Sequence, residues 1–301
     1  MDQKNETFDE CSGLRGDFLL DWPIKSGLTC AKWCNFTPHT NLFMNILDQI
    51  VAHKRIEVAE AKTQTPINEL EKSIFFSSAI NSLSAALTAA SSTGIIAEFK
   101  RKSPSKGVIN ATVLPEVVTK GYAEAGAAGL SVLTDTLFFG GTFADFRAAR
   151  LANPTTPLLR KDFMIDAYQV IEAKSIGADL ILLIAACLLP QQIKQLGALA
   201  RQLGMEVLLE VHDANELERS ICDEVTIIGV NNRNLKTFET SVQTSVELFD
   251  LIPSQFIKIT ESGLSNADTM HHLRKVGYQG FLIGETFMKT QDPAAALRAF
   301  L

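Results

Sequence analysis

Ile95-Ile96-Ala97-Glu98-Phe99-Lys100-Arg101-Lys102-Ser103-Pro104-Ser105-Lys106-Gly107 begins as the short apolar run of a buried parallel strand, then sets a carboxylate and an ammonium two residues apart. Alternate residues of a strand point to one side, so Glu98 and Lys100 share a face. Taking such charges into a protein interior is costly unless they are paired or used. A solvated strand end followed by a basic loop is the plain alternative, and ion-pair networks can be purely structural. The surrounding chain decides between them.

Outward from this segment, β-branched or apolar runs recur near 95–100, 130–134, 157–163, 179–185, 206–211, 225–231, 256–260 and 280–283. Helical patterns fill the gaps, among them 114–125, 166–176, 190–203, 215–222, 242–251, 267–276 and 293–300. Gly177, Gly204 and Gly277 stand where a glycine stops a helix, and Asp213 and Ser265 are expected N-caps. Strands alternating with helices require crossovers and therefore a parallel sheet. Eight strands in about 210 residues is the count of a (β/α)8 TIM barrel. A doubly wound sheet is the alternative, weakened by the absence of a Gly-x-Gly-x-x-Gly after any strand.

The chain has 301 residues, 46% hydrophobic and 21% charged, a composition suited to a sizeable globular core. Its net charge of −6 argues against a general nucleic-acid binder. No apolar run approaches the ~20 residues of a membrane-spanning helix. The cysteines at 11, 30, 34, 187 and 222 suggest no disulfide framework and fit a reducing compartment. Cys30-x-x-x-Cys34 lacks a second pair of ligands, so no metal site is expected.

Residues 1–43 lack sustained periodicity, hold both tryptophans (Trp22 and Trp33) and do not resemble a secretory signal. At Met44 a strongly periodic text begins. The expectation is a dispensable or mis-annotated leader over 1–43, then a single barrel domain over 44–301 with an N-terminal helical extension at 45–63 and 67–90.

In a barrel of this kind the chemistry lies at the C-terminal ends of the strands. Those ends read Glu98 and Lys100; Arg160-Lys161-Asp162-Phe163; Glu210-Val211-His212; Asn231-Asn232-Arg233; Glu261-Ser262-Gly263; and Gly284-Glu285. The ends Leu133-Thr134-Asp135 and Ile184-Ala185 carry little obvious chemistry. Ser262-Gly263 and Gly284 are small enough to let backbone N–H groups approach an anion, with Ser103 and Ser105 as added hydroxyl donors. Lys100, Lys161 and Glu210 are acid–base candidates: a lysine among cations is lowered in pKa and a carboxylate in an apolar pocket is raised. The set suits proton transfer on a small phosphate ester.

Ile-Ile-Ala-Glu-Phe-Lys-Arg-Lys-Ser-Pro-Ser at 95–105 resembles the signature of the indole-3-glycerol phosphate synthase family. Leu-Arg-Lys-Asp-Phe at 159–163, Leu-Leu-Glu-Val-His at 208–212, Gly-Val-Asn-Asn-Arg-Asn-Leu at 229–235, Glu-Ser-Gly at 261–263 and Leu-Ile-Gly at 282–284 match the same family. The resemblance spans about 44–301. It implies a cofactor-free cytoplasmic barrel of tryptophan biosynthesis, a monomer or weak oligomer acting on a small phosphate ester. It further implies Lys161 as general acid, Lys100 at the substrate carboxylate and Glu210 as proton shuttle. Glu98 with Asn231 would orient the substrate and hold the lysines, and Ser262 would assist at the rim. Ser103, Gly263 and Gly284 would hold the phosphate, while Phe163, Leu133 and Leu183 would pack on the aromatic ring. Arg233 either meets the substrate carboxylate or neutralises Glu98. Glu285 departs from the small polar residue often found beside the phosphate. Phosphoribosylanthranilate isomerase would present a Cys/Asp pair at the strand ends instead of lysines and glutamates. A barrel that binds phosphate without catalysis would not need both Lys161 and Glu210, and on a role as a regulatory subunit the sequence is silent.

Overall fold

The computed structural model describes residues 45–235 and 237–301, so the expectation for residues 1–43 lies outside the described residues. The chain enters through α1 (Ile46–Gln64), α2 (Ile67–Leu70) and α3 (Leu83–Thr88). Next come β1 (Ile95–Phe99), a small hairpin of β2 (Lys102–Ser103) and β3 (Gly107–Val108), and α4 (Pro115–Glu124). The alternation proceeds through β4 (Gly129–Leu133), α5 (Phe143–Ala152), β5 (Leu158–Lys161), α6 (Ala167–Ser175), β6 (Leu180–Ile184) and α7 (Pro190–Gln202). It continues with β7 (Glu206–Val211), α8 (Ala214–Ser220), β8 (Ile227–Asn231) and α9 (Gln243–Leu248). Last are β9 (Ile257–Glu261), α10 (Ala267–Val276), β10 (Gly280–Ile283), α11 (Glu285–Met288) and α12 (Pro293–Phe300). Eight strands close in the order β1-β10-β9-β8-β7-β6-β5-β4, every ladder parallel: the expected TIM barrel.

Two local expectations change. The segment 67–90 is not one helix. Ser73 Oγ donates to the Ser175 carbonyl at 2.5 Å and Asn81 N–H to Asp179 at 2.8 Å, so tertiary partners draw off groups a continuous helix would use. Helix α5 fills the gap between β4 and β5, for which the sequence pattern sets no range, and is capped by Thr142, which accepts from Asp145 N–H at 3.0 Å. Asn266, not Ser265, caps α10; Asp213 caps α8 as expected.

Strand parity sorts the core into two shells. Ile96, Leu159, Leu180, Leu182, Ile184, Leu208, Ile227, Ile259 and Leu282 pack together inside the barrel. Their strand neighbours, among them Ile95, Ala97, Leu158, Ile181, Leu183, Leu209, Ile228 and Phe281, pack outward against the helices. Leu83 and Leu87 of α3 join the inner shell from the N-terminal side, where a Cβ on Gly129 would lie 2.5 Å from Leu83 and one on Gly280 3.3 Å from Leu87. Glu206, the first residue of β7, fixes α3 by accepting from Ser82 Oγ at 2.6 Å and Leu83 N–H at 2.9 Å. The sheet is thus sealed below and open above.

Candidate active site

Continuing the inner parity upward places the charged side chains. Above Ile96 stands Glu98, above Leu159 Lys161, above Leu208 Glu210, above Ile259 Glu261, and Asn231 lies two residues beyond Gly229 on β8. The strand register sets Leu133 beside Lys161 and Asn231 beside Glu261. These side chains floor a cavity of about 340 Å³ at the C-terminal mouth, within the size range of small-molecule sites.

The centre is Lys161, whose Nζ lies 2.9 Å from Glu210 Oε2 and 2.7 Å from Glu261 Oε2, all three buried. Burial opposes the ammonium charge, yet Glu210 and Glu261 outweigh it and hold the lysine pKa above its ordinary value. Glu210 is likewise penalised by burial but held well below the carboxylate range by Lys161 and His212. Glu261 is pushed up by burial and by the charge of Glu210. The expected directions are therefore reversed at two positions. Carboxylates rather than cations surround Lys161, and Glu261, not Glu210, is the raised carboxyl.

Around this triad, Asn231 Nδ2 donates to Glu210 Oε1 at 3.0 Å, and Lys100 Nζ donates to Glu98 Oε1 at 2.5 Å. Asn231 therefore supports Glu210, while Glu98 holds Lys100 and Glu261 helps hold Lys161. Burial lowers the basicity of His212, but Glu210 at 3.4 Å and Glu216 at 3.0 Å offset this and raise it to about 10. It is an imidazolium at neutral pH.

The rim gathers Ser103, Ser262, Gly263, Gly284 and Arg233 at the same mouth. Ser103 Oγ is buried without a protein partner. Ser262 (φ 67°) and Gly263 (φ 77°) turn the chain left-handed straight after β9; a Cβ at Gly263 would also lie 2.8 Å from Thr240. Arg233 Nη1 donates to Ser105 Oγ at 2.7 Å, and its Nη2 lies 3.8 Å from Glu285. It faces the serine rim, while Lys100 is the cation paired with Glu98. Glu285 is balanced by Arg233 and, also at 3.8 Å, by Lys106.

Phe163 and Leu133 line the cavity as expected. Leu183 does not. It belongs to the outer shell because β6 presents its even-numbered residues inward, so Leu182 and Ile184 occupy the place assigned to it. The strand-end motifs include Glu261 without giving it a role, although the parity Ile257-Ile259-Glu261 aims it inward. They also pass over Phe139, whose ring centroid lies 5.9 Å from that of Phe163, and Ile46, Leu47 and Ile50 of α1, which wall one side of the cavity.

Comparison with known proteins agrees with this geometry. The family model described as indole-3-glycerol phosphate synthase matches residues 47–300. The indole-3-glycerol phosphate synthase of Bacteroides thetaiotaomicron is 47% identical over 257 residues, covering 85% of this chain and 98% of the relative. The enzyme of the same name from a Polaromonas species is 46% identical over 257 residues, covering 84% and 97%. Among solved structures, 3-hexulose-6-phosphate synthase from Salmonella typhimurium aligns with a TM-score of 0.55 at 11% identity, covering 69% of this chain and 96% of that one. Thiamine phosphate pyrophosphorylase from Pyrococcus furiosus aligns at 0.53 and 12% identity, covering 73% and 96%; these two share the fold alone. With a family model matched over nearly all of the described barrel and relatives at this identity, the chain belongs to the indole-3-glycerol phosphate synthase family.

Proposed function

We propose that the chain converts 1-(2-carboxyphenylamino)-1-deoxyribulose 5-phosphate to indole-3-glycerol phosphate, releasing CO2 and water, in tryptophan biosynthesis. The observation that carries this reading is the Lys161 ammonium held between Glu210 and Glu261 on the floor of a mouth whose walls are aromatic on one side and rimmed by serine and glycine on the other. The substrate has matching ends, an anthranilate ring with its carboxylate and a phosphate. Anchoring both ends uses remote binding energy to bring ring carbon and ketone together.

Lys161, kept protonated by the charge of its carboxylate neighbours, gives its proton to the ketone oxygen as the ring carbon attacks. Loss of CO2 restores aromaticity. The resulting hydroxyl then takes a second proton, from Lys161 recharged by Glu261, and leaves as water while the adjacent ring carbon gives up its proton, which completes the indole. Lys100, on its tether to Glu98, meets the carboxylate end. Glu210, ionised and supported by Asn231, takes up the proton released in dehydration, and Glu261 is placed to return one to Lys161. Ser103, Gly263, Gly284 and Arg233 receive the phosphate. Ser262 assists at the rim, with Leu133, Phe163 and Phe139 against the ring. The free thiols of Cys187 and Cys222 favour cytoplasmic placement, and no helix of the described residues is long and apolar enough to cross a membrane. We read the working form as a monomer or weak oligomer.

Mixing purified protein with the ribulose phosphate and following indole fluorescence tests the reading. Product formation is expected with or without residues 1–43; no signal from either form overturns it.

A further inference from the structure

One buried charge is not used by this chemistry. Lys54 lies on the face of α1 that carries Ile46 and Ile50, one helical turn apart. Those two apolar residues wall the cavity, whereas Lys54 reaches the strand ends and is only 3% exposed. Its ammonium lies 2.5 Å from Glu57 on its own helix, 3.0 Å from Asp135 Oδ2 after β4 and 3.0 Å from Asp162 Oδ1 after β5. Burial alone would lower its basicity, but Asp162, Asp135 and Glu57 more than offset that, so the charge stays on.

The same two aspartates hold backbone on their other contacts. Asp135 Oδ1 accepts from Phe138 N–H at 2.8 Å and Phe139 N–H at 3.2 Å. Asp162 Oδ1 accepts from Phe163 N–H at 2.8 Å. Phe139 and Phe163 are the tilted ring pair facing the cavity, 38° between planes. A single ammonium therefore fixes both anchors of the aromatic wall. Asp162 has a second countercharge in Arg160 at 3.0 Å, but the fully buried Asp135 has Lys54 as its one ion-pair partner among the described residues. A buried carboxylate stripped of its cation must take up a proton or move toward water. Either outcome releases the turn that carries Phe139 from the ammonium that anchored it.

We propose that Lys54 is a positioning residue for the aromatic end of the substrate, setting the gap between Phe139 and Phe163 through Asp135 and Asp162. The inference rests on the synthase reading, which supplies the aromatic ligand.

Anthranilate and inorganic phosphate serve as separate probes of the two ends, each titrated by calorimetry against the full chain and against Lys54→Met. The expected result is a loss of anthranilate affinity of about tenfold or more, the scale of one contact, with phosphate affinity unchanged. KM for the ribulose phosphate rises in parallel. If Lys54→Met does not fold, Lys54→Met with Asp135→Asn removes the stranded charge and keeps an acceptor for the Phe138 and Phe139 N–H groups; the same selective loss is expected. Equal weakening of both probes, or of neither, overturns the proposal and leaves Lys54 a plain staple. Failure of the unmutated chain to turn over the ribulose phosphate would instead strike at the synthase reading, a result separable from the variant comparison.

Discussion

Replacing Lys161 by methionine keeps the side-chain volume but removes the cation that two buried carboxylates share. Glu210 and Glu261 lie 2.9 and 2.7 Å from that ammonium, so their nearest oxygens are at most about 6 Å apart. At that distance and an effective dielectric near 20, their repulsion is about 3 kcal/mol, enough to raise the upper pKa of the pair by about 2 units. A carboxyl whose folded pKa exceeds its unfolded value loses stability as pH rises from the unfolded value through the folded one. Glu261 already behaves this way in the native protein, and Lys161→Met steepens it. Relative to the parent, the variant should lose up to about 3 kcal/mol more between pH 5 and 8, or roughly 6–12 °C in melting temperature for a domain of this size. Turnover should fall by about 10²–10⁴, the usual worth of a placed general acid, while inorganic phosphate still binds. Indole fluorescence, thermal melts across pH and phosphate calorimetry read the three effects. Near-normal turnover removes Lys161 from proton donation. A melting difference that stays flat from pH 5 to 8 refutes the shared-cation geometry.

Glu210→Gln should cut turnover by about 10²–10⁴ and cost about 1–3 kcal/mol in the melt, since the single amide oxygen can serve Lys161 or Asn231 but not both donors; a rate within a few fold of the parent's would exclude it from proton transfer. In Gly284→Ala the new Cβ would fall on Glu98 Oε1 and 3.0 Å from Glu98 Cβ, an overpacking cost of about 1–3 kcal/mol that should displace the Glu98–Lys100 pair and raise KM, whereas unchanged kinetics would contradict the close approach. Leu183→Ala should destabilise by about 2–5 kcal/mol without changing KM, and Leu133→Ala should raise KM; the reverse pattern in steady-state assays and urea melts would invert the parity assigned to β6.

The barrel was legible because its strands are buried on both faces and stand out as apolar runs, each followed by a helix with a stop signal such as Gly177 or Gly204. Glu98, Lys100, Lys161, Glu210 and Asn231 were legible because a charged or amide group is costly at the end of a buried apolar strand and is seldom found there without a use. What failed was orientation. Leu182 and Leu183 are chemically the same letter, and which of them faces inward depends on the stagger of β6 against β5 and β7, a relation spread over residues far apart in sequence. Charge environment failed for a similar reason. Two lysines at strand ends of one mouth would be expected to crowd one another, yet Lys161 pairs with carboxylates 49 and 100 residues away. Lys54 and Phe139 sit in α1 and a loop with no motif of their own, so only the folded arrangement could reveal them.

Leu83 and Leu87 plug the barrel from below, which makes the upper mouth a one-door room. Substrate, indole product, carbon dioxide and water all pass the same threshold, and the indole must leave before the next substrate can be seated. A bulky product that fits the aromatic wall well is therefore its own competitor. Faster chemistry on the floor of the cavity would then bring no faster cycle unless the doorway cleared as quickly.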